Sequence, residues 1–487
     1  MNTTLVEIAN IRQSAREFFE LIQNRLSGDG RLVTFYGRPD GDESSLVLTA
    51  VIEMAGQLEA AQTSVSRETG FHTLTRDFPA IHIFEREIFE QYGVKPHDHP
   101  WLKPVRFSGE HQAKIADYPF YKVDGKEVHE VGVGPIHAGV IEPGHFRFMC
   151  LGETVHHLEI QLGFQHRGVD ALLLARPPWS LTPLVETIAG DSSIAHAWAY
   201  CAALESLSGA ELHDALHVSR GVALELERIA MHLAGLAGLS TDIAFLQGAA
   251  TYGRLRTTAI NTTMLLCGSR FGRGWLRPQA SRATMTAETA ATVRENLALI
   301  KRDIAIINEH VLEARTVKHR LKGVGALTKE QAVQMGLVGM AARSTGVALD
   351  QRCNATGRPP YGALRPELVV EPSGDCWARA VLRVREIDES LKWLTAALQK
   401  SPTMEPSSSN ARALRPDALS IAMCEGWRGE VVHCLETAAA GSLRHYRVQD
   451  PSLRNWFGLA LAVRENDIYD FPICNKSFDL SYCGNDL

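Results

Sequence analysis

The sequence predicts an α+β fold, with a small N-terminal α/β domain over residues 1–108 and a mainly α-helical domain over 109–487 that carries small β additions. Three observations predict it. Ile11, Ala15, Phe18, Ile22 and Leu26 recur at helical spacing just ahead of two strand-like runs. Beyond Ser108 helical periodicities take over: Val293, Leu297, Ile300, Ile304, Ile307 and Val311 alternate by four and three without a break, the seam of a core helix or coiled coil. Between about Gly132 and Gly163, two short apolar runs are bracketed by Gly and Pro, which suits a small sheet.

In order, the first helix stops at Gly28-Asp29-Gly30. Residues 32–36 and 45–52 read as strands flanking the turn Gly37-Arg38-Pro39-Asp40-Gly41, and a short helix over 83–92 ends at Gly93. Runs 146–150 and 157–162 supply the sheet of the second domain. Leu212, Leu216, Leu226, Ile229, Leu233 and Leu236 then line one long helix, and Val384, Ile387, Leu391, Leu394 and Leu398 line another. An antiparallel bundle with small β additions is the expected result.

Composition narrows the function. With 487 residues, 45% hydrophobic and 22% charged, the chain can build two or three ordinary cores. A net charge of −6 argues against a general nucleic-acid partner. Met1 is not followed by a basic and then apolar leader, so no signal peptide is expected, and no apolar stretch approaches the roughly 18 residues of a membrane span. The nine cysteines are scattered, odd in number and never arranged as CxxC, which reads as reduced thiols. His213-Asp214-Ala215-Leu216-His217 imitates a zinc helix, but its short Asp and missing third ligand favour a plain helix face.

Several motifs then recur in a fixed order. Arg76-Asp77-Phe78-Pro79, Phe84-Glu85-Arg86-Glu87 and Gln91-Tyr92-Gly93-Val94 resemble the C-type hydrophilic subunit of respiratory complex I. Gly134-Pro135-Ile136-His137, Glu142-Pro143-Gly144-His145-Phe146-Arg147 and Gln165-His166-Arg167-Gly168-Val169-Asp170 are similar to the start of its D-type subunit and of the hydrogenase relatives of that subunit. Leu226-Glu227-Arg228-Ile229, Gly268-Ser269-Arg270-Phe271-Gly272, Asp350-Gln351-Arg352 and Gly374-Asp375-Cys376-Trp377-Ala378-Arg379 continue the series to the tail. The fused order resembles the large subunit of formate hydrogenlyase and other membrane-bound nickel–iron hydrogenases.

That resemblance implies four cysteine thiolates around nickel and iron, which need soft ligands. Aligned on Ile194-Ala195-His196 and Ser477-Phe478-Asp479, the four positions hold Ala189, Ser192, Ser481 and Gly484. No metal is therefore expected on this chain. In complex I the equivalent cavity receives a quinone headgroup, which makes His145 the counterpart of the quinone-loop histidine. Asp191 and His196 are the other candidate catalytic groups, and His137, His145, Ser192 and Asp479 the candidate cavity wall. Glu225, Glu227 and Arg228, if buried, must pair with each other or with Arg343, Arg352 or Arg379.

The resemblance implies the large subunit of a membrane-associated oxidoreductase complex, taking electrons from an iron–sulfur cluster in a small partner subunit and passing them to a quinone-like acceptor. Antiporter-like membrane subunits would lie below, with this chain peripheral on the inner face of the cell membrane. The alternatives are a working formate hydrogenlyase-type hydrogenase and a non-catalytic scaffold.

Overall fold

The structure is a computed structural model; it describes all residues except 110–113, 124, 126, 138–140, 354–359, 363, 402, 408–409 and 411. Among the longer elements, β1 (Asn2–Glu7) finds its partner near the opposite end of the sequence, with Thr3 opposite Ala422 and Leu5 opposite Ser420. Ser14 then starts α1 (Ala15–Ser27). Its hydroxyl accepts the Glu17 N–H while the Glu17 carboxylate accepts the Ser14 N–H, so two orphan donors are satisfied at once. Phe18 and Ile22, one turn apart, bury against the meander of β2 (Arg31–Pro39), β3 (Ser45–Met54) and β4 (Gln57–Ser66). Helix α2 (His82–Tyr92) closes this layer and stops at Gly93, whose φ of 70° suits a residue without a Cβ. Strand β4 has no counterpart in the sequence expectation: its alanines, glutamines, threonine and serines carry little β signal, and pairing with β3 supplies what propensity does not.

The second part opens with the antiparallel sheet β5 (Val128–Val133), β6 (His145–Leu151) and β7 (Thr154–Gln161). A bundle follows: α3 (Ser193–Ser208), α4 (Asp214–Asp242), α5 (Leu246–Cys267), α6 (Ala287–Glu313) and α7 (Cys376–Lys400). All six seam residues of α6 are buried, as their spacing requires.

A hairpin series absent from the sequence expectation comes next. Strands β8 (Ala418–Glu425), β9 (Glu430–Thr437) and β10 (Leu443–Gln449) join β1 in a four-stranded sheet of order β1-β8-β9-β10. Every residue of β8 and β9 is buried, so no polar face exists to betray a period of two. This sheet also ties the two parts together: Ile8, Val33 and Val51 share one core with Leu419, Ile421 and Val432. Helices α8 (Ser452–Ala462) and α9 (Phe471–Phe478) and a last turn, Tyr482–Asp486, lie against the bundle. The molecule is α+β throughout. No helix among the described residues is long and apolar enough to cross a membrane.

Candidate functional site

The site forms where the start of α3, the β8–β9 turn and the tail meet. Helix α3 is buried along most of its length, and its first free N–H groups would be orphans without a partner. Glu227, reaching from α4, accepts from the Ile194 N–H at 2.7 Å and the Ala195 N–H at 3.3 Å. Burial pushes this carboxyl up to about 8, so Glu227 holds a proton at neutral pH. Its neighbours in α4 behave as the pairing argument requires. Glu225 binds Arg352 at 3.0 Å and Arg228 at 3.4 Å, and it accepts the Tyr361 and Ser390 hydroxyls. Arg343 holds Glu386 and Glu425. Arg379 lies outside this network.

The turn Gly426-Trp427-Arg428-Gly429 aims Arg428 at the opposite wall. Its guanidinium donates to both Asp191 oxygens, at 2.6 and 2.5 Å, and to the Asp479 carbonyl, while stacking 4.0 Å above Trp427. Asp479 sits in the left-handed region (φ 55°) as the cap of α9, and Lys476 donates to its carboxylate at 3.0 Å. Burial would raise the Asp479 carboxyl, but Lys476, Arg383 and Arg428 together hold it below its ordinary value. The close approach needs a bare backbone on α4: a Cβ at Gly235 would lie 2.6 Å from the Arg383 Nε and 3.2 Å from the Asp479 carboxylate.

Behind this pair lies a buried hydrogen-bonded chain. Asp450 meets His196 Nε2 at 3.1 Å, His196 Nδ1 meets His433 Nε2 at 3.1 Å, and His433 Nδ1 meets the Tyr446 hydroxyl at 2.8 Å. With Asp450 ionised and each imidazole carrying one proton, a single arrangement satisfies all three contacts. Tyr446 donates to His433 Nδ1, His433 Nε2–H to His196 Nδ1, and His196 Nε2–H to Asp450. Burial would raise the Asp450 carboxyl, but the His196 hydrogen bond and the Arg428 charge hold it down, consistent with that ionised form. Desolvation, with His196 adding to it, pushes His433 well below its ordinary value, so that ring is neutral.

The same carboxylate takes up one of the four positions at which the resemblance implies a metal ligand. A Cβ at Gly484 would fall 2.6 Å from Asp450 Cγ and 2.9 Å from Ser481 Oγ, so Asp450 fills the space that a ligand side chain there would need. Ser481 Oγ accepts the Gly484 N–H at 2.9 Å, Ser192 is buried, and Ala189 offers no donor atom. These residues do not fit a nickel–iron centre. Among the described residues no three His, Cys, Asp or Glu side chains gather as a metal-binding group.

The predicted residues fall into two sets. Asp191 and Asp479 meet at Arg428, and His196 follows through Asp450, with Ser192 buried one residue beyond Asp191. His137 and His145 belong to the segment entering β6, where His137 Nε2 lies 2.9 Å from the Gly144 carbonyl. Strand alternation turns Phe146 inward against Tyr482 and Phe471, and His145 the other way, edge-on to Phe120 at 5.3 Å. The two sets touch through Tyr482, whose ring would collide with a Cβ on Gly144 and whose N–H faces Glu142 at 3.3 Å. A narrow crevice of about 10 Å³ reaches Asp191 and Glu227 past Met231, Arg270 and Phe271. Arg428, His433, Tyr446 and Asp450 were not foreseen from the sequence. The turn residues around Trp427 and Arg428 were the one available signal.

The respiratory-chain NADH dehydrogenase 49 kDa subunit family matches residues 242–420, and the 30 kDa subunit family matches residues 13–122. The chain joins these two complex I domains in one polypeptide. Its relatives include hydrogenase-4 component G of Escherichia coli K12, 28% identical over 443 residues, covering 86% of this chain and 76% of that one. Formate hydrogenlyase subunit 5 of the same organism is 26% identical over 440 residues, covering 85% and 77%. The fused C/D polypeptide of the Phocaeicola vulgatus NADH-quinone oxidoreductase is 25% identical over 391 residues, covering 72% and 74%. Among solved structures, a chain of the membrane-bound sulfane sulfur reductase, an archaeal respiratory membrane complex, matches with a TM-score of 0.68 at 22% identity, covering 75% of this chain and all of that one. At that identity the likeness speaks for the fold. The homologues of this fused chain are thus subunits of membrane-bound hydrogenases and complex I-like respiratory complexes.

Proposed function

We infer that this fused 30 kDa/49 kDa chain is the large subunit of a membrane-associated oxidoreductase complex that works without a nickel–iron centre. It docks peripherally on membrane subunits, takes electrons from an iron–sulfur partner and serves a quinone-type acceptor. The observation that carries the reading is the Asp450 carboxylate standing where a Gly484 side chain would be, which leaves a protonic site in place of a metallic one. A quinone gains two protons with its two electrons, and the site offers both holders and movers of protons. Glu227 keeps its proton at neutral pH beside the crevice, and the Tyr446–His433–His196–Asp450 chain can shift one through three hydrogen bonds. His145 is the histidine that the resemblance assigns to the headgroup, which it would meet from the Phe120 side of β6 rather than through the crevice at Glu227.

Elemental analysis and quinone-coupled turnover of the intact purified complex test this together. The expected result is nickel far below one per complex, with turnover lowered at least about ten-fold by His145→Ala and by Glu227→Gln while assembly survives. Near-stoichiometric nickel with hydrogen–deuterium exchange would establish a hydrogenase instead. Unchanged turnover in both variants would leave the chain a scaffold.

A further inference from the structure

Away from this site, two cysteines meet in the core. Cys376 is the first residue of α7 and Cys474 sits in α9; both are fully buried and neither is in a disulfide. Their sulfurs converge on one point. A Cβ placed on Gly325 would lie 2.6 Å from the Cys474 sulfur, 3.5 Å from the Cys376 sulfur and 3.1 Å from Arg379 Nη2. The two thiols lie close enough to shift each other's titration. Arg379 also donates to the Cys376 sulfur at 3.4 Å, and its guanidinium is locked by Ser477 Oγ (2.8 Å) and by the carbonyls of Gly374 (2.6 Å) and Gly325 (2.9 Å).

The surroundings divide the two sulfurs by role. Burial alone would keep the Cys376 thiol protonated, but the Cys474 S–H, the Arg379 charge and the Ser477 hydroxyl outweigh it and draw that thiol below its ordinary value. Its place at a helix N-terminus acts in the same direction. Cys474, beside that sulfur and buried, is shifted upward and keeps its proton. Gly325 packs directly on the pair, within the turn over residues 322–326 in which Lys322, Gly323 and Ala326 are exposed. Gly325 itself has φ +61°, and a Cβ there would strike the Cys474 sulfur and touch that of Cys376.

We propose that Cys376 and Cys474 form a redox-active dithiol site that reacts with disulfide-class oxidants, Cys376 attacking and Cys474 resolving. The Cys376 thiolate attacks one sulfur of R–S–S–R and expels RS⁻, giving a mixed disulfide. Cys474 then attacks the Cys376 sulfur of that bond, its proton leaving with the second RS⁻ as RSH. The sum is one protein disulfide plus one RS⁻ and one RSH, with two electrons passed from the two cysteines to R–S–S–R. The product joins the start of α7 to α9 and so fixes the tail that carries Asp479 and Ser481. The proposal is independent of the acceptor at the Asp191–Arg428 site.

Oxidised glutathione added to the intact complex, followed by iodoacetamide blocking, digestion and mass spectrometry, tests it. The expected product is a peptide pair joined through Cys376 and Cys474. In Cys474→Ser the reaction stops at glutathione attached to Cys376, and in Cys376→Ser neither product forms. A second reading needs no variant. At neutral pH, Cys376 in the native complex is expected to take up iodoacetamide about ten-fold or more faster than the equally buried Cys424 and Cys434, because the thiolate is the nucleophile. Alkylation of all three at one rate, or no joined peptide under conditions that glutathionylate the partly exposed Cys483, would overturn the proposal.

Discussion

At Gly484, one of the four family ligand positions, the Asp450 carboxylate takes the space of the missing side chain. Replacing Gly484 with Cys would restore that position, yet the new Cβ would fall 2.6 Å from Asp450 Cγ. Asp450 would have to move, breaking its contacts with His196 and the Ser452 N–H. The combined overpacking and lost hydrogen bonds should cost about 2–4 kcal/mol. Thermal unfolding of Gly484→Cys should therefore show a midpoint several degrees lower, and metal analysis no gain of nickel; bound nickel in this variant would refute the assignment. The residue scale also marks the limit of sequence reading. Asp191, Ser192, His196 and Asp479 were legible because motif spacing places them. Their partners were not: His433 lies 237 residues from His196 and Asp450 lies 254 residues away, and no local pattern spans such separations.

Elements were legible in proportion to how unevenly they are buried. Helix α6 alternates buried and exposed positions, and its seam could be read directly. Strands β8 and β9 are buried on both faces and offered only apolar runs interrupted by charges, which the structure explains as inward ion pairs such as Glu436 with Arg38 and Glu425 with Arg343. The turn between these strands depends on glycine where backbones meet. Gly339 (φ +61°) passes so near that a Cβ would sit 2.0 Å from the Arg428 carbonyl and 2.2 Å from Gly429 Cα. Backbone cannot yield as a flexible side chain would, so Gly339→Ala should destabilise by roughly 3 kcal/mol or more and loosen the turn that aims Arg428. Gly253 in α5 has nothing within 4 Å of its hypothetical Cβ and no positive φ. There Ala should stabilise by about 0.5–1 kcal/mol. Paired denaturant titrations of the two variants would show opposite shifts; shifts of the same sign would contradict the packing around these two glycines.

Taken whole, the molecule buries charge on a scale that only pairing makes tolerable, and its pH dependence follows from the groups left partly unpaired. Arg228, Arg343 and Arg352 each have a carboxylate partner in the core. Glu227 differs, since it faces two backbone N–H groups and makes no ion pair among the described residues, and burial raises it to about 8. A carboxyl raised in the folded state stabilises fully below its unfolded value near 4.5, and that contribution is lost as pH rises through the folded value. Buried His232 and His433 act in the opposite sense. Depressed mainly by desolvation, they favour the fold above about 6.5 and withdraw that support as acidification proceeds, for His232 down to about 4. The two sets therefore act against each other below about pH 6.5, whereas between about 6.5 and 8 the Glu227 contribution changes while that of these histidines stays level. Glu227→Gln removes that titration and leaves the histidines in place. Relative to the variant, the natural chain should lose up to about 1.4 kcal/mol per pH unit across roughly pH 6.5–8, read from denaturant midpoints at several pH values. A difference between the two chains that stays constant over that window would mean that Glu227 does not hold its proton in the folded state, and the proton-donor role assigned to it would fall with that result.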